Sequence, residues 1–572
     1  MTAGPAARAP WWLARRGIAA TLVVAVAVLA MAPAIANGFT YDDRVIIQDN
    51  ARVHQLAGWW RLFGQSYWPP PALEALYRPL PMLAYAVQWT LGGGAPWLFH
   101  AGNLAAYALL CLAVWRLATE LLPPGAALAV GVLFAAHPVH VEPVANIVGL
   151  AELGMAFGTV GALGAYLAWR ERGPSPGRTL AVVAGTALAV FSKEQGVLAP
   201  LVLLLAEMTL VTDRRPWWGR LRHGLPLAVA LVAVLGAYGA LRSRALATWD
   251  DAPAGVWMVL SPADRRWTML GVAAEWGRLL LWPARLAVEY SPPHVVVHRG
   301  WSADLLPGVV VLASGAALAA LSWRRVPAAA FGLGLAAVAL LPVSNVLVPT
   351  GVILAERTLL LPSVGVLLAI GALGAALWRE QAPGPVARRL VAWSVALLAA
   401  AGATRAALRT TIWRDDATLL ATATAETPRS YRPWYLLGQR YVREGRVAEA
   451  EEALRRAVTL FPDDYGALAL LGDLYRRQNR CGQAVPVLER ALLVHPDGAD
   501  ARVNLAACAI GLGRFEAARR LATDGERRGI EAGAFRALRR LADSIEVRRG
   551  PPAHPRAEPP RPLPSSRPAP TR

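Results

Sequence analysis

The 572-residue chain is poor in charge, poor in cysteine and almost without lysine. Only 17% of its residues are charged while 55% are hydrophobic, which excludes a soluble multidomain protein, because such a chain lacks the polar surface to cover itself. Three cysteines, Cys111, Cys481 and Cys508, show no zinc spacing and neither demand nor exclude a disulfide. Lys193 is the one lysine beside 57 arginines. A single retained ammonium in so arginine-biased a chain suits a compact point charge at a phosphate oxygen. The plainer alternative is a lysine that snorkels to a membrane interface, paired with Glu194.

The formal charge of +19 does not indicate nucleic acid, because the basic residues form no single soluble face. They fall in short loops between apolar runs: Arg170, Arg172 and Arg178; Arg214, Arg215, Arg220 and Arg222; Arg324 and Arg325; Arg379, Arg388 and Arg389. With Arg8, Arg15 and Arg16 they mark the cytoplasmic side of a polytopic membrane protein. About eleven crossings are expected, near 17–36, 97–118, 126–136, 147–169, 179–191, 197–211, 225–241, 305–321, 328–343, 359–377 and 390–407. Stretches 79–91 and 267–286 read as amphipathic, lying on or re-entering the outer face. The first run could be a signal peptide with "AIA" at 34–36 as its cleavage site, but a retained span is preferred, since it is long enough to cross and more spans follow.

An odd number of crossings puts everything after residue 407 opposite the N-terminus. There the chain repeats itself: Gly438 and Gly472, Tyr441 and Tyr475, Ala450 and Ala484, Ala457 and Ala491, and Pro462 and Pro496 are each 34 residues apart. That period, with Leu-Gly, Tyr, small Ala and a closing Pro, is the tetratricopeptide pattern. Leu505, Gly513 and Ala518 carry a third, degraded unit. The expected fold class is all-α, with a membrane domain over 1–410, a linker over 411–430, repeats over 431–548 and a Pro/Arg-rich tail over 549–572 that cannot bury a core.

Polar groups collect on the outer face, where charge beside apolar spans is costly and therefore points to function. They are "GFTYDDRVIIQDN" at 38–50, with Asp42 and Asp43; "YRPL" at 77–80, with Arg78; "FHAGN" at 99–103, with His100 and Asn103; and "HPVHVEP" at 137–143, with His137, His140 and Glu142. "FSKEQG" at 191–196 adds Lys193 and Glu194, and "SNVLVPTGVILAERTLLLPSVG" at 344–365 adds Glu356 and Arg357. The plain reading of the Asp pair is a turn or helix cap. His137, His140 and Glu142 suit a divalent ion by donor type, but their spacing is no metal signature, so neither metal nor other cofactor is expected. Glu356 and Arg357 are read either as a simple ion pair or as a phosphate-binding arginine oriented by its neighbour.

As an ordered set, these motifs followed by tetratricopeptide repeats resemble the transmembrane and tetratricopeptide-repeat O-mannosyltransferases and their bacterial relatives, over roughly residues 39–518. The resemblance implies a GT-C glycosyltransferase fold, a sugar donor on a polyprenyl phosphate, and catalysis by an acidic residue of the first outward loop, here Asp42 or Asp43. Glu142, Lys193, Glu356 and Arg357 would surround it. Where the family tends to have Gly-Arg before Glu-Leu, this chain has Gly149-Leu150-Ala151-Glu152-Leu153, which puts any contact of that arginine in question. The implied reaction moves a hexose, mannose by resemblance, to a protein Ser/Thr hydroxyl with inversion, one carboxylate acting as base. The implied setting is a bacterial inner membrane with site and repeats on the periplasmic side, or alternatively the endoplasmic reticulum. Two other functions stay open: a non-catalytic membrane scaffold for envelope assembly, and a lipid-linked sugar transferase acting on a glycan or lipid.

Overall fold

The computed structural model describes residues 16–70, 76–246, 255–381, 384–528 and 532–549. Arg8, Arg15 and the tail beyond residue 549 lie outside them. Among the described residues the regular structure is helical, with one isolated antiparallel bridge between Tyr290 and Leu354.

The chain divides between Leu437 and Gly438 into two compact units. The first holds α1 (Arg16–Met31), α2 (Pro79–Gly92), α3 (Pro96–Leu121), α4 (Pro124–Ala135), α5 (Val141–Ala145), α6 (Leu150–Arg172), α7 (Pro176–Ser192) and α8 (Ala199–Thr209). It continues through α9 (Trp217–Ala245), α10 (Pro262–Leu281), α11 (Leu306–Arg325), α12 (Pro327–Leu340), α13 (Leu360–Gln381), α14 (Pro385–Thr410) and α15 (Asp416–Glu426). Proline opens α2, α3, α4, α7, α10, α12 and α14. Its fixed φ suits the first helical turn, and its missing N–H would have had no partner there. Those prolines move helix starts a few residues ahead of the hydrophobic runs expected from composition.

Seven of the eleven expected segments are helices long and apolar enough to cross a membrane: Arg16–Ala36, Pro96–Leu121, Ile147–Arg172, Trp217–Ala245, Ala303–Arg325, Glu356–Gln381 and Pro385–Trp413. This is a multi-pass membrane protein. The other four segments are helical but broken or short. One is the pair Pro124–Ala135 and Pro138–Ala145, bent by 46°. The rest are α7, α8 and α12. Helices α6 and α7 pack backbone to backbone: a β-carbon on Gly158 would lie 2.5 Å from the Ala189 nitrogen, and one on Gly185 would lie 2.8 Å from that of Ala162. Small residues permit this approach, which lipid-exposed helices use in place of a hydrophobic drive.

Helix α16 (Tyr431–Arg443) straddles the division between the units. The second unit continues with α17 (Val447–Leu460), α18 (Tyr465–Arg477), α19 (Cys481–Val494), α20 (Ala499–Gly511), α21 (Phe515–Arg527) and α22 (Ala532–Arg549). The 34-residue period has a direct packing cause. A β-carbon on Gly438 would meet Leu454 Cδ2 at 2.7 Å, and one on Gly472 would meet Leu488 Cδ2 at 2.4 Å. Each glycine admits the leucine of its partner helix. The third unit is completed by α21, and Ala509, Ile510 and Ala518 form a small core with Ala542 of α22. Cys481 and Cys508 are joined as a disulfide with their Cα atoms 5.2 Å apart, and Cys111 is free and buried.

Candidate active site

The loop after α1 leaves it through a short turn over Ala32–Ala36 and is stitched at once to the end of α14. Asn37 Nδ2 donates to the Thr410 carbonyl at 2.9 Å, and the Gly38 N–H to that of Arg414 at 2.9 Å. Tyr41 follows with φ +53°, and Arg44–Gln48 wind as a π-helical turn, a form enriched at functional sites.

The two aspartates are dissimilar. Asp43 is fully buried and accepts three backbone N–H groups: Val148 at 2.9 Å on Oδ1, and Thr40 at 3.2 Å and Ile147 at 3.4 Å on Oδ2. It is a long-range cap on the turn that leads into α6, so the cap reading holds for Asp43, though for a helix other than its own. Burial raises its pKa and the three donors pull it back. Asp43→Ala leaves those donors without an acceptor at about 1–3 kcal/mol each, and the expected result is a clearly lower melting temperature in detergent. An unchanged melting curve would refute this assignment.

Asp42 is half-buried and accepts no hydrogen bond from the described residues. Desolvation raises its pKa, Arg357 and Arg432 lower it, and Glu142 raises it. Its neighbour Tyr41 lines a small cavity of about 20 Å³ together with Glu142, Glu289 and Arg357 among others.

Arg357 is held by two acids. Its N–H donates to Glu142 Oε2 at 2.8 Å, its Nη1 pairs with Glu142 Oε1, and its Nε lies 3.5 Å from Glu152 Oε1. Glu152 pairs in turn with Lys193 Nζ, and both side chains are almost fully buried, 4% and 7% exposed. Arg78 forms a separate pair with Glu194, with Nε 3.0 Å and Nη2 2.9 Å from Oε2, and stacks over Tyr67. The structure thus brings Asp42, Glu142, Glu152, Lys193 and Arg357 together, with Arg78 and Glu194 beside them.

Several expectations need correction. Lys193 pairs with Glu152 rather than with its neighbour Glu194. Glu356 does not orient Arg357: its Oε1 accepts the Ala287 N–H at 2.7 Å and the Tyr290 hydroxyl at 2.8 Å. His137 Nε2 lies 3.2 Å from the Leu280 carbonyl. His140 sits between the Tyr107 hydroxyl at 2.9 Å and Ser363 Oγ at 2.8 Å. With Glu142 on Arg357 the three do not converge, and no group of three potential ligands suited to a metal occurs among the described residues. His100 Nε2 lies 3.3 Å from the Gly38 carbonyl, and Asn103 Nδ2 donates to the carbonyls of Val144, Asn146 and Ile147. These residues hold the loops around the site through their protein partners.

Tetratricopeptide repeat models match residues 432–474 and 469–532. Protein O-mannosyl-transferase TMTC3 of Mus musculus is 24% identical over 485 residues, 78% of this chain and 51% of its own length. Protein O-mannosyl-transferase TMTC4 of Homo sapiens is 27% identical over 496 residues, 76% of this chain and 64% of its own. Protein O-mannosyl-transferase Tmtc2 of Drosophila melanogaster is 38% identical over 183 residues, 30% of this chain and 19% of its own.

The chain is a relative of the transmembrane and tetratricopeptide-repeat O-mannosyltransferases. It spans about half the length of several of the curated relatives it matches. In this relative of the O-mannosyltransferases, residues outside the sequence motifs also reach the site. Arg432 Nη2 donates to the Tyr41 hydroxyl at 3.4 Å, and its Nε lies 3.6 Å from Glu289 Oε2. Asp416 accepts the Tyr41 N–H at 2.8 Å and pairs with Arg44 at 3.1 Å. Burial raises the Glu289 pKa, opposed by Arg432 and Arg357. Tyr41 was visible within the first motif. Glu289 and Asp416 stand in stretches with no motif or period to flag them, and Arg432 opens the first repeat at a position where the next repeat has Gly466, so the period does not single it out.

Proposed function

We propose that this chain is a membrane glycosyltransferase that transfers a hexose, mannose by analogy with the names of its relatives, from a polyprenyl-phosphate donor to a Ser or Thr hydroxyl of a polypeptide. The observation that carries this is Asp42, a half-buried carboxylate that accepts no hydrogen bond from the described residues and whose strongest charged neighbour is Arg357.

In the proposed reaction the acceptor oxygen attacks the anomeric carbon from the face opposite the phosphate. The bond from that carbon to the phosphate oxygen breaks with its electron pair leaving on the phosphate, and Asp42 takes the hydroxyl proton. The anomeric centre inverts. Phosphate is a good leaving group, so charge stabilisation matters more than protonation. Arg357, with 25% of its side chain exposed, can share its charge with the phosphate; Lys193, 7% exposed and paired with Glu152, serves to hold Glu152 against Arg357. No metal or cofactor enters this scheme.

The proposed setting is a bacterial inner membrane, with the site and repeats on the periplasmic side. The Cys481–Cys508 disulfide supports a non-cytoplasmic repeat unit, since disulfides persist in oxidising compartments. The repeats supply a helical surface suited to an extended acceptor chain.

The test is transfer of labelled mannose from polyprenyl-phosphate mannose to unfolded polypeptides by the full chain in vesicles, with the product mapped to Ser or Thr. Label appearing only on glycan or lipid would replace the protein acceptor, and no label on any acceptor from folded protein would leave the scaffold reading. Deleting 438–549 is expected to lower polypeptide transfer at least about tenfold, by removing the local concentration that a linked binding module provides. Undiminished transfer would rule out the repeats as the acceptor-binding surface.

A further inference from the structure

Tyr41 holds an unfavourable backbone, since a non-glycine residue in the left-handed region costs about 1–2 kcal/mol and persists only where its surroundings fix it. Here the fixing groups come from far along the chain. Asp416 holds the Tyr41 N–H, and Arg432 holds its hydroxyl. Arg432 is itself pinned: Nη1 donates to the Gly351 carbonyl at 3.3 Å, Nε faces Glu289, and its N–H donates to Ser291 Oγ at 3.3 Å. Around it, the Tyr431 N–H donates to the Pro292 carbonyl at 3.0 Å and Ser430 Oγ lies 2.5 Å from Ser291 Oγ. Asp42 follows Tyr41 directly in the chain.

We propose that Arg432 is a positioning residue for the Asp42 base, acting through Tyr41, so that the segment after the last membrane helix completes the active site rather than merely tethering the repeats. This rests on the function proposed above. Asp42 is faced by Arg357 from the turn before α13, Glu142 from α5, Arg78 from the loop before α2, and Arg432. Tyr41 is faced by Arg432, Asp42, Glu289 and Arg357. Arg432 therefore aims the loop and also helps keep Asp42 ionised.

The test uses the full chain, with Arg432→Gln, Arg432→Lys and Tyr41→Phe assayed for mannose transfer across pH. Arg432→Gln is expected to lower kcat about 10- to 100-fold, as misplacement of a reacting group does, with the acceptor KM unchanged. Its acid limb should move to higher pH, because a cation that favours the ionised Asp42 is gone. Arg432→Lys should keep that limb in place. Unchanged kcat and acid limb in Arg432→Gln would overturn the proposal, and so would a raised acceptor KM at unchanged kcat, which would make Arg432 an acceptor contact. If Arg432→Gln does not fold, Tyr41→Phe decides: reduced kcat supports the proposal and unchanged kcat overturns it. Asp42→Asn separates the two levels. If it retains transfer, the base assignment itself fails; if it is inactive while Arg432→Gln behaves as wild type, only the role of Arg432 fails.

Discussion

Asp42→Asn is expected to lower kcat about 10²- to 10⁴-fold, the usual worth of a positioned general base. Its melting temperature should stay close to that of the wild type, because the Asp42 carboxylate accepts no hydrogen bond from the described residues and the attraction of Arg357 and Arg432 for its charge is outweighed by the cost of its burial. That contrast with Asp43→Ala separates two adjacent acids by experiment. The pH dependence follows with a definite sign. A base must be ionised, and desolvation holds the Asp42 pKa above its ordinary 3.8. Transfer should therefore fall on acidification through an acid limb lying above that value, and the limb should vanish from the residual rate of Asp42→Asn. A pH–rate profile of both proteins checks it. Full transfer by Asp42→Asn would remove Asp42 from catalysis.

Lys193→Met should be the most destabilising single change in the charged cluster. Lys193 and Glu152 are both almost fully buried, and breaking a buried pair by removing one partner costs about 3–5 kcal/mol, because the other charge is left uncompensated. Arg357, 3.5 Å from Glu152, offsets part of this. The double change Lys193→Met with Glu152→Leu should regain much of the stability, since an apolar pair of similar volume replaces the charges. Denaturation in detergent reads both. If Lys193→Met melts as the wild type does but loses transfer, Lys193 contacts the donor instead of supporting Glu152.

The parts of this molecule that could be read from sequence are those set by short-range spacing. Apolar runs gave the membrane helices, and prolines at first helical positions account for their shifted starts. The repeats were plain because Gly438 with Leu454, and Gly472 with Leu488, are local pairs repeated at a fixed period. The acids of the site stood out by being charged beside apolar spans. Their division of labour did not, because it is decided across the chain: Asp43 is occupied by Ile147 and Val148, 104 and 105 residues away. Adjacency misled twice. Lys193 ignores Glu194 for Glu152, 41 residues distant, and Glu356 turns away from Arg357, since consecutive residues of a helical turn face different sides. Glu289 carried no local signal at all, and Arg432 read only as the start of the first repeat.

The stitching of Asn37 and Gly38 to Thr410 and Arg414 sets an order of events during biosynthesis. The acidic loop emerges from the ribosome before the groups that give it shape, which follow in stages: Ile147 and Val148 sooner, Asp416 and Arg432 only after α14 has been made. Until then Tyr41 has nothing to hold it in its costly conformation. Ribosome-released fragments that stop short of residue 432 would insert their helices but leave the loop unshaped, and the proposed site is complete only when the end of α14 and the segment after it have closed on the loop that follows α1.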